Sequence, residues 1–219
     1  TGAGCARPPA PAPAASAPAP RWALLDAALV GVGLDVIRRS DVLLACDLVR
    51  VREAPGLVDP DGLGPCPPAM FDETVEQLVN QTLILEDAER FNLDVPAEAL
   101  EARLAALEAK VGGPEGLARL LARHGATPQT LRERLARELL LGLYLERRIG
   151  LLVVVAPDEV EAYYRANRAE FGGLDLAAVA PRIRAYLERV KYRDALADYL
   201  ETLRARAEIR RLSPLEAAP

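Results

Sequence analysis

Aromatic residues are scarce in this chain. Phe, Tyr and Trp make up 5% of the 219 residues, although hydrophobic residues make up 51%. The apolar part of the sequence is therefore mainly Ala, Leu and Val, a composition that is typical of packed helices rather than of a β-sandwich. A chain of this length can bury a core of its own, so folding requires neither a metal nor a disulfide.

An excess of positive charge is also missing. The chain has 27 Lys and Arg against 32 Asp and Glu, a formal net charge of -5, and acidic residues are interspersed with Arg along the same segments. Such a pattern is typical of solvated, ion-paired helix faces and argues against a nucleic-acid partner. The sequence contains no uninterrupted run of about 18 apolar residues, so it predicts no transmembrane helix.

Motifs of the common catalytic sites are missing as well. The chain has no GxSxG, HExxH or P-loop sequence, and the glycines near Gly31 lack the third glycine of a dinucleotide site. The single histidine, His124, stands beside Gly125 at a helix end, where it is expected as a capping residue rather than as a base. We therefore expect no catalytic residue, no cofactor and no metal, and a protein that is not an enzyme.

Cysteine is limited to Cys5, Cys46 and Cys66. These positions lack the paired close spacing of a zinc site. If Cys5 carries a lipid, Cys46 and Cys66 remain as an even pair that could close a disulfide in an oxidising compartment. The alternative is that Cys46 is a small buried side chain on a helix and Cys66 a loop residue. The sequence leaves both interpretations open.

The first 21 residues differ in composition from the rest of the chain. The stretch GAGC resembles the end of a bacterial lipoprotein signal, although Gly2 stands where a Leu is usual, and the alternative is an incidental Cys in a truncated leader. Residues 6–20 are almost only Ala and Pro, a composition that favours an extended, semi-stiff tether. We expect residues 1–21 to be a disordered leader with Cys5 as a candidate lipidation site, and residues 213–219 to be a disordered tail.

Residues 22–212 are predicted to form a single, mainly α domain. Apolar residues recur at helical spacing in about six segments joined by short loops, and two or three short strands accompany them. One strand is expected over 27–37, with Gly31 and Gly33 at a bend, and Ser40 is expected to cap the helix that follows. Further short strands are expected at 151–155 and in the closing AEIRRL. Later helices are expected to start at 67–68, near Pro96, at the short segment PEGLARLLARHG, after a cap at Thr127, at Pro157 and at 174.

Four stretches occur in an order that resembles the SurA-type periplasmic chaperones and the related foldases that carry parvulin prolyl-isomerase domains. They are ALVGVGLDVIRRSDV, FDETVEQLVNQTLILEDAERFNLDVPAEALEARLAAL, GGPEGLARLLARHGATPQTLRERLARELLLGLYLERRI and VVVAPDEVEAYYRANRAEF, and a closing helix and strand follow them. The resemblance covers most of residues 27–212. The chain departs from the family where Pro96 and Pro157 replace the usual cap residues, and in the loop 54–66.

The resemblance implies a helical domain in which the C-terminal helix, 174–208, packs back on the N-terminal helices and the terminal strands pair. It also implies an ATP-independent chaperone of the periplasm or cell envelope that binds unfolded or partly folded envelope proteins through an apolar crevice. A lipid on Cys5 would tether it to the membrane. The parvulin domain that relatives carry after YYRANRAEF is missing, and Gly172 and Gly173 stand at that position.

Apolar side chains that remain after the core is packed are the candidates for client binding. They are Met70, Phe71, Tyr144, Tyr163, Tyr164 and Phe171. One alternative to a chaperone is an envelope adaptor or structural module that binds one defined protein partner through its helices. The other is a prolyl isomerase, against which the missing parvulin segment argues.

Overall fold

The computed structural model describes residues 26–212 and confirms the mainly helical fold with a small antiparallel sheet. The predicted leader, Cys5 and the tail lie outside these residues. The described part of the chain contains three strands and seven α-helices, where the sequence predicted about six helices. The strands are β1 (Ala28–Val32), β2 (Asp35–Arg38) and β3 (Ile209–Arg211). The helices are α1 (Arg39–Glu53), α2 (Pro68–Ala88), α3 (Ala97–Lys110), α4 (Pro114–Ala122), α5 (Pro128–Arg148), α6 (Pro157–Ala166) and α7 (Leu176–Arg204).

The segment 27–37 forms a hairpin, so the prediction of one strand was wrong. β1 and β2 are antiparallel neighbours, and the chain reverses at Gly33, whose φ of 54° lies in the left-handed region that glycine adopts without strain. Alternation along the strands buries Val30, Val32 and Ile37, which pack with side chains of α1 and α2. The hairpin thereby covers one side of the first two helices.

The start of α1 also differs from the prediction, because Ser40 is not its N-cap. The cap residue is Arg38, whose backbone N–H donates to Oδ2 of Asp41 at 2.9 Å. Ser40 lies in the first turn, and its backbone N–H and its hydroxyl both donate to the carboxylate of Asp26. Asp26 thus satisfies a first-turn donor that has no partner inside the helix.

Other helix starts follow the predicted cap chemistry. α2 and α5 begin with Pro68 and Pro128, where the missing N–H has no intrahelical partner to lose. The side chain of Thr127 accepts a hydrogen bond from the N–H of Thr130 at 3.1 Å. Gly125 has a φ of 62° after α4, as expected for a residue just beyond a helix end.

β3 brings the end of the described chain back to its beginning. The sheet order is β2–β1–β3, with Val30 opposite Arg211 and Val32 opposite Ile209. α7 packs on α2, and Arg204 donates to Asn80 at 2.9 Å. The closing helix runs over Leu176–Arg204, shorter than the predicted 174–208.

Three clusters of buried side chains form what we call the body. The first lies between α1, α3, α4 and α5 and includes Leu48, Leu120 and Leu131. The second lies between the sheet, α1 and α2, and the third joins the ends of α2, α5 and α7 around Tyr144. Full burial of one such leucine stabilises the fold by about 1.5–3 kcal/mol.

A fourth cluster forms what we call the arm, which comprises α6 and the first half of α7. Its buried residues are Val155, Val160, Val179 and Ile183. α6 has α7 as its main packing partner. α7 has 29 residues and so spans about 44 Å, and it packs in both the arm and the body. Gly172 and Gly173, with φ of 57° and 86°, turn the chain between the two helices of the arm.

Residues 150–156, which we call the connector, join the body to the arm. The prediction of a strand at 151–155 was wrong, because Gly150–Leu152 form a 3-10 turn and the following residues pair with no described strand. The backbone N–H of Val153 donates to the carbonyl of Gly150 at 3.2 Å. Lys191 of α7 donates to the carbonyl of Val154 at 2.8 Å. The first bond orders the turn inside the connector, and the second fixes the connector to α7.

Candidate functional site

The structure does not gather the six predicted client-binding residues into one site. Met70 and Phe71 lie in the first turn of α2, and Phe71 packs against the sheet cluster. The other four divide between the body, which holds Tyr144, and the arm, which holds Tyr163, Tyr164 and Phe171.

Tyr144 is a core residue, so the structure corrects its assignment as a candidate for client binding. Its side chain is 1% exposed, and its hydroxyl donates to Oδ2 of Asp87 at 2.6 Å. Tyr199 of α7 donates to the same oxygen at 2.6 Å. The two hydrogen bonds lower the pKa of Asp87, whereas burial, with the bond to Asp87, raises the pKa of both tyrosines. This triad joins three helices, and within it the Tyr144 side chain is buried and offers no surface to a partner.

The aromatic residues of the arm mainly pack against one another. The ring of Tyr164 stacks on Phe171 with centroids 5.5 Å apart, and Tyr163 lies 5.3 Å from Tyr186. The hydroxyl of Tyr164 donates to the carbonyl of Leu174 at 2.7 Å, across the glycine turn. These half-buried side chains hold the two helices of the arm together.

Three large apolar side chains of the connector are exposed, and the sequence interpretation missed them. Leu151, Leu152 and Val154 are 69%, 73% and 70% exposed, and we call them the connector patch. Exposed apolar residues are normally scattered singly, whereas neighbouring ones mark interaction surfaces. The signal was present as the apolar run LLVVV, which was interpreted only as a short strand.

A groove of about 420 Å³ lies beside the connector patch, at the ends of α5 and α7. Leu152 belongs to both the patch and this connector groove, and Ile149 and Leu203 add to its apolar lining. Arg148 stands on its rim with its guanidinium 5.3 Å from the centre of the Tyr199 ring. The arrangement can accept apolar side chains of a partner and hold polar groups at the edge.

A second cleft, of about 620 Å³, lies beside Cys66 and is also lined by Phe71. Cys46 of α1 and Cys66 form a disulfide in the structure, with their Cα atoms 6.2 Å apart, inside the range usual for such bonds. The bond fixes the loop before α2 to the middle of α1. We call this space the disulfide cleft.

Asp47 is the buried charge of the disulfide cleft, with an exposure of 2%. Its Oδ2 lies 2.9 Å from Nε2 of His124, and its Oδ1 lies 3.1 Å from Nη1 of Arg50. Burial alone would raise the pKa of Asp47, but the hydrogen bond with His124 and the charges of His124, Arg123 and Arg50 outweigh it and lower that pKa. The His124 ring, for which a capping role was predicted, therefore pairs with a side chain of α1.

Within residues 26–212, no group of three or more His, Cys, Asp or Glu side chains is arranged to hold a metal ion. Over the same range, no helix combines the length and the apolarity needed to cross a bilayer.

The chain matches no protein-family model, and no curated protein matches it. Its function is therefore inferred from its own residues and their arrangement.

Proposed function

We propose that this protein is an ATP-independent, chaperone-like protein of the cell envelope. It binds unfolded or partly folded envelope proteins through the connector patch and the connector groove, and it has no isomerase activity. The observation that carries the proposal is the exposure of Leu151, Leu152 and Val154 next to a groove with apolar and charged lining residues. The order of sequence motifs that resembles the SurA-type chaperones supports the envelope location and the class of client.

A surface of this kind suits clients that share no sequence. Unfolded chains expose apolar side chains at irregular spacing, so their binder needs apolar area without side-chain-specific pockets. Full burial of one large apolar side chain is worth about 1.5–3 kcal/mol, and the entropy lost on association offsets much of this gain. Three such side chains and a groove therefore give weak binding from which a client escapes without ATP.

The connector is held in place before a client arrives. The N–H groups of Leu152 and Val153 donate within the 3-10 turn, at 2.9 and 3.2 Å. Lys191 bonds the carbonyl of Val154 and pairs with Glu159 at 2.7 Å. Because the backbone is already ordered, binding loses less conformational entropy than it would on a free loop.

Light scattering tests this proposal by measuring the aggregation of an unfolded outer-membrane protein that is diluted from urea. Wild-type protein in excess is expected to suppress the scattering. The triple variant Leu151→Ser, Leu152→Ser, Val154→Ser is expected to lose at least about half of that suppression, since it removes all three apolar side chains of the connector patch. Leu57→Ser is the matched control, because Leu57 is 78% exposed but lies in the loop before α2.

The outcomes separate the function from its site. No suppression by the wild type would contradict the chaperone function, whereas equal suppression by the triple variant would contradict the connector site. Recovery of one stoichiometric partner from native membranes, in place of a heterogeneous client set, would identify an adaptor. Acceleration of proline-peptide isomerisation above the uncatalysed rate would overturn the absence of isomerase activity.

A further inference from the structure

A separate cavity of about 320 Å³ lies between α1, α3 and α5. Its lining residues are Leu48, Arg52, Arg103, Ala106, Leu107, Lys110 and Leu135. None of them belongs to the connector patch or the connector groove. The volume falls at the small end of the range for small-molecule sites in proteins.

The floor of this cavity is apolar. Leu48, Leu107 and Leu135 are buried members of the first body cluster. Ala106 is exposed on α3 and leaves room where a larger side chain would fill the space. An apolar group that enters the cavity therefore meets the core of the body directly, and its transfer from water is favourable.

The rim of the cavity carries three cations and no acidic side chain. Arg52 pairs with Glu138 at 2.7 Å, and Lys110 donates to the carbonyl of Ala54, a neutral group that leaves the ammonium charge uncompensated. Arg103 has no ion-pair partner within residues 26–212. In a chain of net charge -5, this local excess of positive charge favours an anion.

The lining also limits what kind of anion fits. All seven residues lie inside helices and beyond the first turn, so their N–H groups are bonded along the helix. A peptide main chain would find no backbone donors for its carbonyl groups. An acyl chain needs none, because it requires only an apolar floor and a cation for its head group.

We propose that this cavity binds a fatty acid anion, with the first part of its tail on the three leucines and its carboxylate between Arg103 and Lys110. Guanidinium and ammonium groups make strong, charge-assisted hydrogen bonds to carboxylates. The site is independent of the connector, so the proposed client binding stands or falls separately.

Calorimetric titration of the full chain with dodecanoate, below its micelle concentration, tests the site. Saturable binding of one dodecanoate per chain is expected, with dodecanol and dodecylammonium at least about tenfold weaker because they lack the negative charge. Arg103→Glu, which reverses the charge, and Ala106→Trp, which fills the cavity, are each expected to weaken dodecanoate binding at least about tenfold. Arg184→Glu is the matched control, since Arg184 is exposed on α7 in the arm and its replacement changes the net charge equally.

Loss of binding in Arg103→Glu and Ala106→Trp, with binding retained in Arg184→Glu and a wild-type circular dichroism spectrum in all three, supports the site. Equal affinity for dodecanol would overturn the role of the cations. Unchanged dodecanoate affinity in both cavity variants would overturn the location. Tighter binding of dodecyl phosphate than of dodecanoate would overturn the carboxylate assignment in favour of a phosphate head group.

Discussion

The hydroxyl of Tyr144 on α5 lies 3.0 Å from the hydroxyl of Tyr199 on α7, and both donate to the same oxygen of Asp87 on α2. These three residues are far apart in the sequence, and each belongs to a different helix. Because the carboxylate is charged, its hydrogen bonds are worth more than neutral ones. The triad therefore fastens the closing helix to the N-terminal part of the chain.

Replacement of Tyr199 by Phe is expected to destabilise the protein by about 1–2 kcal/mol, because Asp87 loses one of its two tyrosine donors. Urea unfolding followed by circular dichroism measures this. Tyr192→Phe is the control, since Tyr192 is half-buried on the same helix and its hydroxyl has no hydrogen-bond partner within residues 26–212. A control loss as large as that of Tyr199→Phe would show that the triad contributes nothing specific.

Replacement by alanine is expected to change the stability of the protein in opposite directions at two helical glycines. A Cβ on Gly116 of α4 would lie 1.7 Å from the carbonyl oxygen of Val111, so Gly116→Ala must displace backbone and is expected to cost about 1–3 kcal/mol. A Cβ on Gly142 of α5 would meet nothing within 4 Å. Gly142→Ala is therefore expected to stabilise the protein by up to about 1 kcal/mol through helix propensity.

Thermal and urea unfolding measure the change in the free energy of unfolding for each alanine variant under the same conditions. Each variant is the control for the other, because the substitution is identical and only the surroundings differ. A Gly116→Ala variant as stable as the wild type would contradict the close packing of α4 against the end of α3.

Removal of the disulfide is expected to cost about 3 kcal/mol. Cys46 and Cys66 are 20 residues apart, and a cross-link that closes a loop of this size restricts the unfolded chain by about that amount. The double variant Cys46→Ala, Cys66→Ala measures the loss by urea unfolding, and reduced wild type should match it. Peptide mapping without reductant should recover residues 46 and 66 in one linked peptide; free thiols at both positions would refute the bond.

The stability that Asp47 contributes is expected to decrease as the pH falls. Because its pKa in the folded protein is lowered by His124, Arg123 and Arg50 in spite of burial, the folded state binds its proton less readily than the unfolded chain, whose pKa is about 3.9. The contribution is therefore present above that value and lost as the pH falls through the lower, folded value.

The comparison of wild type with Asp47→Asn measures this contribution. At pH 6 the variant is expected to be about 1–3 kcal/mol less stable, because it leaves the surrounding donors without their charged partner. The difference is expected to shrink as the pH falls below about 4. A difference that stays constant from pH 6 to pH 3 would contradict the lowered pKa.

Much of the helical part of the fold could be predicted because its signals are local. A proline at a first helical position and a threonine cap need only neighbouring residues, and Pro128 and Thr127 lie where the sequence placed them. The hairpin was missed because its two strands and its turn lie in one mainly apolar segment. The feature that marks the turn is the left-handed conformation of Gly33, which the sequence pattern does not contain. The connector was misread for a related reason, since an apolar run does not reveal whether it will be covered.

The candidate sites depended on contacts that a periodic pattern does not contain. The pairing of His124 with Asp47 arises from the packing of α4 beside α1 and joins residues 77 positions apart. The three cations of the cavity rim come from two helices, α1 and α3, and no single segment of the sequence is strongly basic. Tyr144 was misassigned because an aromatic residue on a helix face gives the same pattern whether it is core or contact.

The pairing of β3 with β1 can form only late in synthesis, because the two strands lie near opposite ends of the described chain. Val30 is among the first described residues to leave the ribosome, and its partner Arg211 is among the last. Until then the edge of β1 has no neighbour on that side, and an unpaired edge is open to other chains. Contacts between such distant residues also form slowly, because a long loop must close first. Until β3 docks on β1, the nascent protein thus resembles a chaperone's client.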